Sequence, residues 1–153
     1  MSDDYIKQIR KLIGHKPMLI PHAVVILFNE ENRVLFEVRA DDGYLDFPGG
    51  SVDLNEEVKE TAKRELYEEI GCNDANLVEV GGFYQDPGVT SAYIHCFIAT
   101  DLDAFEDRHL DKDEVIDNMT VSIDELEELI DLGYIEDAST QLTIYKALKY
   151  LRR

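Results

Sequence analysis

The order of apolar patterns along the chain predicts an α/β (α+β) fold, a mixed β-sheet sandwiched between helices. Three observations carry that expectation. A β-branched run at residues 21–28 is followed at 33–39 by Val34, Phe36 and Val38 on alternate positions, with Arg33, Glu37 and Arg39 among the residues between, the pattern of a strand pair. Val58, Ala62, Leu66 and Ile70 then recur every four positions, which places one apolar stripe on a helix. After further strand-like stretches, Ser122-Ile123-Asp124-Glu125 forms a capping box ahead of a helical C-terminal segment.

Taken in order, Ile6, Ile9 and Ile13 are helically spaced within residues 4–13, and Gly14 stops that helix. Asn29-Glu30-Glu31-Asn32 joins the first two strands as a hairpin turn. Pro48-Gly49-Gly50 turns the chain sharply, since glycine carries no obstructing side chain. Asn55 is expected to cap a helix beginning at Glu56, and Gly71 to end it in the left-handed conformation. Residues 77–84 and 91–100 read as strands, the second central, and 115–121 as the last. The capping box at Ser122 opens a helix to about residue 132. A final helix over 139–151 carries Leu142, Tyr145, Leu148 and Tyr150 or Leu151 as its apolar side. Repeats, low-complexity tracts and linkers are absent, so residues 1–153 are expected to form one domain.

Composition narrows the function classes. With 153 residues and 44% hydrophobic content the chain can build a core without staples. The longest apolar stretch, 23–28, is far too short to span a bilayer. The N-terminal MSDDYIKQIRKL lacks the uninterrupted apolar segment of a secretion signal. Cys72 and Cys96 have no metal-type spacing and fit a reducing compartment, so cytoplasm is the expected location. Fifteen Lys plus Arg against 33 Asp plus Glu give a net charge of -18, which argues against binding nucleic acid through its phosphates. Charge is densest in DLDAFEDRHLDKDEVID, residues 101–117, read as a solvated loop. The four histidines, His15, His22, His95 and His109, show no metal-ligand spacing; His95, in an apolar run, reads as a satisfied core residue.

The chemistry-bearing segment is Arg64-Glu65-Leu66-Tyr67-Glu68-Glu69. At about 100° per residue, Glu65, Glu68 and Glu69 share an arc of roughly 100° on one helix. Like charges so placed repel. None of Thr61, Ala62, Glu68 and Glu69, the helix neighbours of Glu65, is cationic, and Arg64 alone does not balance three carboxylates. Hard oxygen ligands gathered this way suit Mg²⁺ or Mn²⁺ better than zinc. The competing reading is a solvated, charge-rich surface helix with Glu60 and Arg64 as a favourable i,i+4 pair.

The spacing Gly50, Glu56, Arg64-Glu65-Leu66, Glu68-Glu69, Gly71 over residues 50–72 resembles the Nudix box. Cys72 replaces the usual aliphatic residue and Asn55 a common glycine. The resemblance implies the sandwich fold already read from the element order. It also implies a metal held by Glu65, Glu68, Glu69 and the Gly49 carbonyl, with Arg64 and Glu56 orienting the glutamates. Nudix enzymes cleave a nucleoside diphosphate linked to another group by attack of water on phosphorus. The general base would be Glu69 or a glutamate from a later loop, for which Glu114 is the candidate.

A second resemblance, to ADP-ribose pyrophosphatases, rests on Asp86-Pro87-Gly88-Val89-Thr90-Ser91, the run 94–99, Asp113-Glu114-Val115-Ile116 and Gly133-Tyr134-Ile135-Glu136-Asp137-Ala138 in the C-terminal half. Glu114 matches their catalytic loop glutamate. Pro87-Gly88 is equally a generic turn. Ala92 stands where many relatives are acidic, and the stretch before Pro21 is too short for the N-terminal sheet those enzymes often use for dimerisation and base stacking. Gly14-His15-Lys16-Pro17 instead resembles compact bacterial Nudix proteins. Arg39 is a candidate phosphate contact, and Tyr84 or Phe47 a candidate base-stacking residue; each has an equally good structural reading. The leading expectation is a metal-dependent hydrolase of ADP-ribose or ADP-sugars, with nucleoside triphosphates as runner-up substrates. The alternative class is a non-cleaving nucleotide sensor, disfavoured by the complete glutamate set. The expected partner is a small nucleotide, with no nucleic acid and no membrane, and a homodimer is left open.

Overall fold

The computed structural model describes residues 3–40, 42–110 and 116–153. Helix α1 (Asp3–Ile13) is followed by strands β1 (Pro21–Phe28), β2 (Arg33–Arg39), β3 (Leu45–Asp46) and β4 (Gly49–Ser51). Helix α2 (Val58–Glu65) runs directly into a π turn, Leu66–Ile70. Strands β5 (Cys72–Tyr84), β6 (Tyr93–Phe105) and β7 (Ile116–Ser122) come next. A 3₁₀ turn at Ile123–Glu125 enters α3 (Leu126–Asp131), and α4 (Ala138–Leu151) follows.

Among the described residues seven strands form one mixed sheet with the path β3-β2-β1-β6-β5; β4 pairs with β1 and β7 with β2. Only β1 and β6 run parallel, from Pro21↔Tyr93 to Leu27↔Ala99. Their middle stretches, 23–28 and 96–99, are covered on two faces, which explains why those stretches are continuous apolar runs. Ala23, Val25, Leu27, Phe97 and Ala99 pack under Ala62, Leu66 and Ile70 of α2 and its π turn. Val24, Ile26, Phe28, Ile94, Cys96 and Ile98 pack on the other side with Leu126, Ile144 and Ala147 of α3 and α4. The expected sandwich is therefore present, and the two buried cysteines are free thiols. No helix among the described residues is long and apolar enough to cross a membrane.

Several local expectations change. Asn55 does not cap α2: it sits before the helix with φ 64, and Glu57 and Glu60 form the capping box. The left-handed backbone explains why a residue tolerant of positive φ stands there. Strand β5 begins at Cys72 rather than 77, and β6 runs to Phe105, so the first five residues of the acidic stretch are strand rather than loop. Helix α4 buries Thr140, Thr143, Ile144 and Ala147, while Leu142, Tyr145, Tyr150 and Leu151 are exposed. His95 is not in the core; its ring lies 2.7 Å from Glu79 at the surface and edge-on to Tyr93.

Candidate active site

Strand β4 sets the glycine pair against β1, with Gly50 opposite Ala23 and Gly49 opposite Val24. Helix α2 crosses above this pair. A Cβ on Gly50 would lie 2.0 Å from Glu65 Oε1, so the missing side chain is what lets the Glu65 carboxylate rest on the main chain. Gly49 donates its N–H to Glu69 Oε2 at 3.0 Å. Glu65 and Glu69 are both buried, and the Glu68 side chain is 38% exposed. The π turn begins between Glu65 and Glu68, so the three glutamates are not spaced as on a regular helix; π turns often mark functional sites.

Arg64 organises the acids around it. Its Nε and Nη2 donate to the two oxygens of Glu56 at 2.8 and 3.0 Å, a bidentate pair. Its Nη1 donates to Glu65 Oε1 at 2.7 Å and Glu68 Oε2 at 3.2 Å, and Nη2 also reaches the Ser51 carbonyl at 3.2 Å. Glu56 is completed by the Asp53 N–H at 3.0 Å and the Thr61 hydroxyl at 2.7 Å. Burial pushes the Glu56 carboxyl up, but Arg64, Asp53 and Thr61 outweigh it and hold the pKa at about 2. The Glu56 hydrogen bond in turn raises the Arg64 pKa against its own burial. Glu65 behaves oppositely: burial raises its pKa despite Arg64. Sequence neighbours on a helix do not normally face each other, yet the long Arg64 side chain folds back onto Glu65, correcting the expectation that no cation serves it.

The donor set fits a hard divalent cation. Two buried carboxylates, a third at the rim and an unobstructed glycine main chain are oxygen donors of the kind Mg²⁺ and Mn²⁺ take. Among the described residues, no three His, Cys, Asp or Glu side chains already converge as a cage; Arg64 engages Glu65 and Glu68, and Glu69 turns to the Gly49 N–H.

A family model for the NUDIX domain matches residues 18–141. The chain belongs to the Nudix family. An ADP-ribose pyrophosphatase from Bacillus subtilis (strain 168) is 31% identical over 147 residues, covering 92% of this chain and 77% of that one. A methanol dehydrogenase activator from Bacillus methanolicus is 29% identical over 139 residues, covering 88% and 74%. A crystal structure of ADP compounds hydrolase matches with a TM-score of 0.78 at 18% identity, over 90% of this chain and 75% of that one; that likeness carries the fold. The enzyme class is that of the Nudix pyrophosphohydrolases, whose members act on small nucleotides and generally use divalent metal ions. Similarity to the ADP-ribose pyrophosphatase spans most of the chain, not the C-terminal half alone.

The Nudix box thus brings Gly49, Gly50, Glu56, Arg64, Glu65, Glu68 and Glu69 together. Glu114 lies outside the described residues. Arg39 ends β2, half exposed, and pairs with Asp42 at 3.6 Å. Phe47 is no stacking platform: it is 3% exposed and its ring lies on Phe36 at 4.5 Å, a core contact. Tyr84 is exposed but stands on β5, with β1 and β6 between it and the strand of Arg39. The sequence reading missed Thr61 and the Ser51 carbonyl. Thr61, a polar residue on the buried side of an amphipathic helix, was the available signal. It also missed His22, whose Nε2 lies 2.8 Å from the Ser51 hydroxyl.

Proposed function

We propose that this Nudix protein is a divalent-metal-dependent hydrolase that cleaves the diphosphate linkage of nucleoside diphosphate derivatives, with ADP-ribose or an ADP-sugar as leading substrate. The observation that carries the reading is the Glu65 carboxylate laid on the Gly50 main chain, with Glu69 buried beside the same glycine pair and Glu68 at the rim. In this reading Glu65, Glu68, Glu69 and the Gly49 carbonyl hold Mg²⁺ or Mn²⁺. The bound ion would lower the pKa of water toward ~7 and offset charge on the diphosphate. Arg64, fixed by Glu56, holds the Glu65 and Glu68 carboxylates in place. Glu69 or Glu114 takes the proton of the attacking water, a contribution of about 10² to 10⁴-fold. Arg39, half exposed, contacts substrate phosphate, and Tyr84 remains the stacking candidate. The similarity to an ADP-ribose pyrophosphatase along most of the chain supports the choice of substrate.

We read residues 1–153 as one catalytic unit working in the cytoplasm on small nucleotides. The net charge of -18 disfavours nucleic acid as partner. A non-cleaving nucleotide sensor is the second reading, and the observation on its side is Arg64 lying 2.7 Å from Glu65. A product screen with Mg²⁺ decides between them: ADP-ribose, ADP-sugars and nucleoside triphosphates are incubated and the products separated. AMP and ribose 5-phosphate from ADP-ribose are expected. Faster cleavage of triphosphates would move the protein to the runner-up substrates, and tight binding without products would make it a sensor.

A further inference from the structure

The π turn that carries Glu68 and Glu69 ends at Gly71, where a helix has carbonyls left without intrahelical donors. Here the segment just after β6 supplies them. Glu106 donates its N–H to the Gly71 carbonyl and His109 donates its N–H to the Glu68 carbonyl, both at 2.7 Å. Side chains repeat the attachment. The Tyr67 hydroxyl donates to Glu106 Oε2 at 3.2 Å, Asn73 donates to Glu106 Oε1 at 3.3 Å, and the His109 ring lies on Tyr67 with centroids 5.0 Å apart. Gly71 has φ +76, and a Cβ there would come within 2.1 Å of the Glu106 carbonyl oxygen. The close approach of the two segments therefore depends on glycine at position 71.

We propose that Tyr67, Glu106 and His109 are positioning residues: they clamp residues 106–109 across the end of the π turn and thereby fix Glu68 and Glu69 at the site. Helix ends fray, and this one carries two of the three carboxylates of the site. A backbone bond to the carbonyl of Glu68 itself holds a residue of the proposed metal site. The inference rests on the hydrolase reading for its consequence in catalysis, but the clamp acts on the protein without ligand.

The test uses His109→Pro, which removes the N–H, His109→Ala, which keeps it and removes the ring, and Tyr67→Ala. Amide hydrogen exchange in metal-free protein and Mn²⁺ binding are measured alongside turnover. In His109→Pro and Tyr67→Ala, exchange at residues 68–71 is expected to accelerate at least ~10-fold while the β1 and β6 amides stay protected. Mn²⁺ affinity should fall about 10-fold or more, with the substrate KM at saturating metal within about twofold, since no substrate contact is removed. His109→Ala should show a smaller effect in the same direction. If His109→Pro does not fold, Tyr67→Ala carries the test. Exchange and Mn²⁺ binding within about twofold of the parent, even with a lowered Tm, would mean an ordinary stabilising contact and overturn the clamp. A parent protein that hydrolyses nothing would sink the hydrolase reading instead, and the exchange comparison would still decide the clamp.

Discussion

Gly49 and Gly50 are adjacent, yet a methyl group added to each meets a different obstacle. At Gly49 it would lie 2.4 Å from the Ala23 carbonyl oxygen, part of β1; at Gly50 it would lie 2.0 Å from the Glu65 carboxylate, the far end of a flexible side chain. Gly49→Ala is therefore expected to lower Tm by disturbing the β1–β4 pairing. Gly50→Ala should leave Tm near the parent value and weaken Mg²⁺ activation about 10 to 100-fold by displacing a ligand. Calorimetry and a Mg²⁺ titration separate the two, and identical Tm losses would contradict the distinction. Glu56 makes a pH prediction. Its folded pKa, about 2, lies below the ordinary 4.5, so its pairing stabilises the fold fully above pH 4.5 and is lost as pH falls toward 2. Glu56→Gln should flatten the fall in Tm across that window; unchanged acid dependence would refute the role assigned to Arg64. The glutamates were legible because their spacing is local. The Ser51 carbonyl was not, because nothing in a linear pattern reports which main-chain carbonyl a guanidinium reaches; Thr61 offered only its polar character on the buried side of its helix.

The elements divide in the same way. Strands β1 and β2 and the Asn29–Asn32 turn lie where alternation and turn chemistry put them, because both signals are short-range. The extension of β5 back to Cys72 was invisible: Asn73, Asp74 and Asn76 are poor strand formers, and pairing with β6 overrides propensity there. Helix α4 shows how periodicity misleads. Leu142 and Tyr145 form the larger apolar stripe, but Thr140, Thr143, Ile144 and Ala147 face the sheet, where the Thr143 hydroxyl bonds its own helix at the Ser139 carbonyl, 2.7 Å away. Ile144→Ala is accordingly expected to cost about 2 to 5 kcal/mol. Leu142→Gln should stay within about 0.5 kcal/mol. Denaturant unfolding checks both, and a larger loss at Leu142 would contradict the assigned face.

At the scale of the molecule, a chain of net charge -18 is proposed to take an anionic substrate, so positive charge is needed where the glutamates gather. Arg64 is already committed to Glu56, Glu65 and Glu68, and the family generally uses divalent metal ions. The fold class was readable from element order, and the box from its spacing; the choice among nucleotides was not, since it depends on residues brought from separate strands and loops. The most direct test is hydrolysis of ADP-ribose by EDTA-treated protein, before and after Mg²⁺ is restored, for the parent and for Glu65→Gln and Glu69→Gln. The expected result is no turnover in EDTA, full recovery in the parent, and rates at least ~10²-fold lower in both variants with unchanged circular dichroism. Undiminished turnover by metal-free parent protein, or near-parental rates in both variants, would contradict the claim that these glutamates hold the metal that makes this site an enzyme.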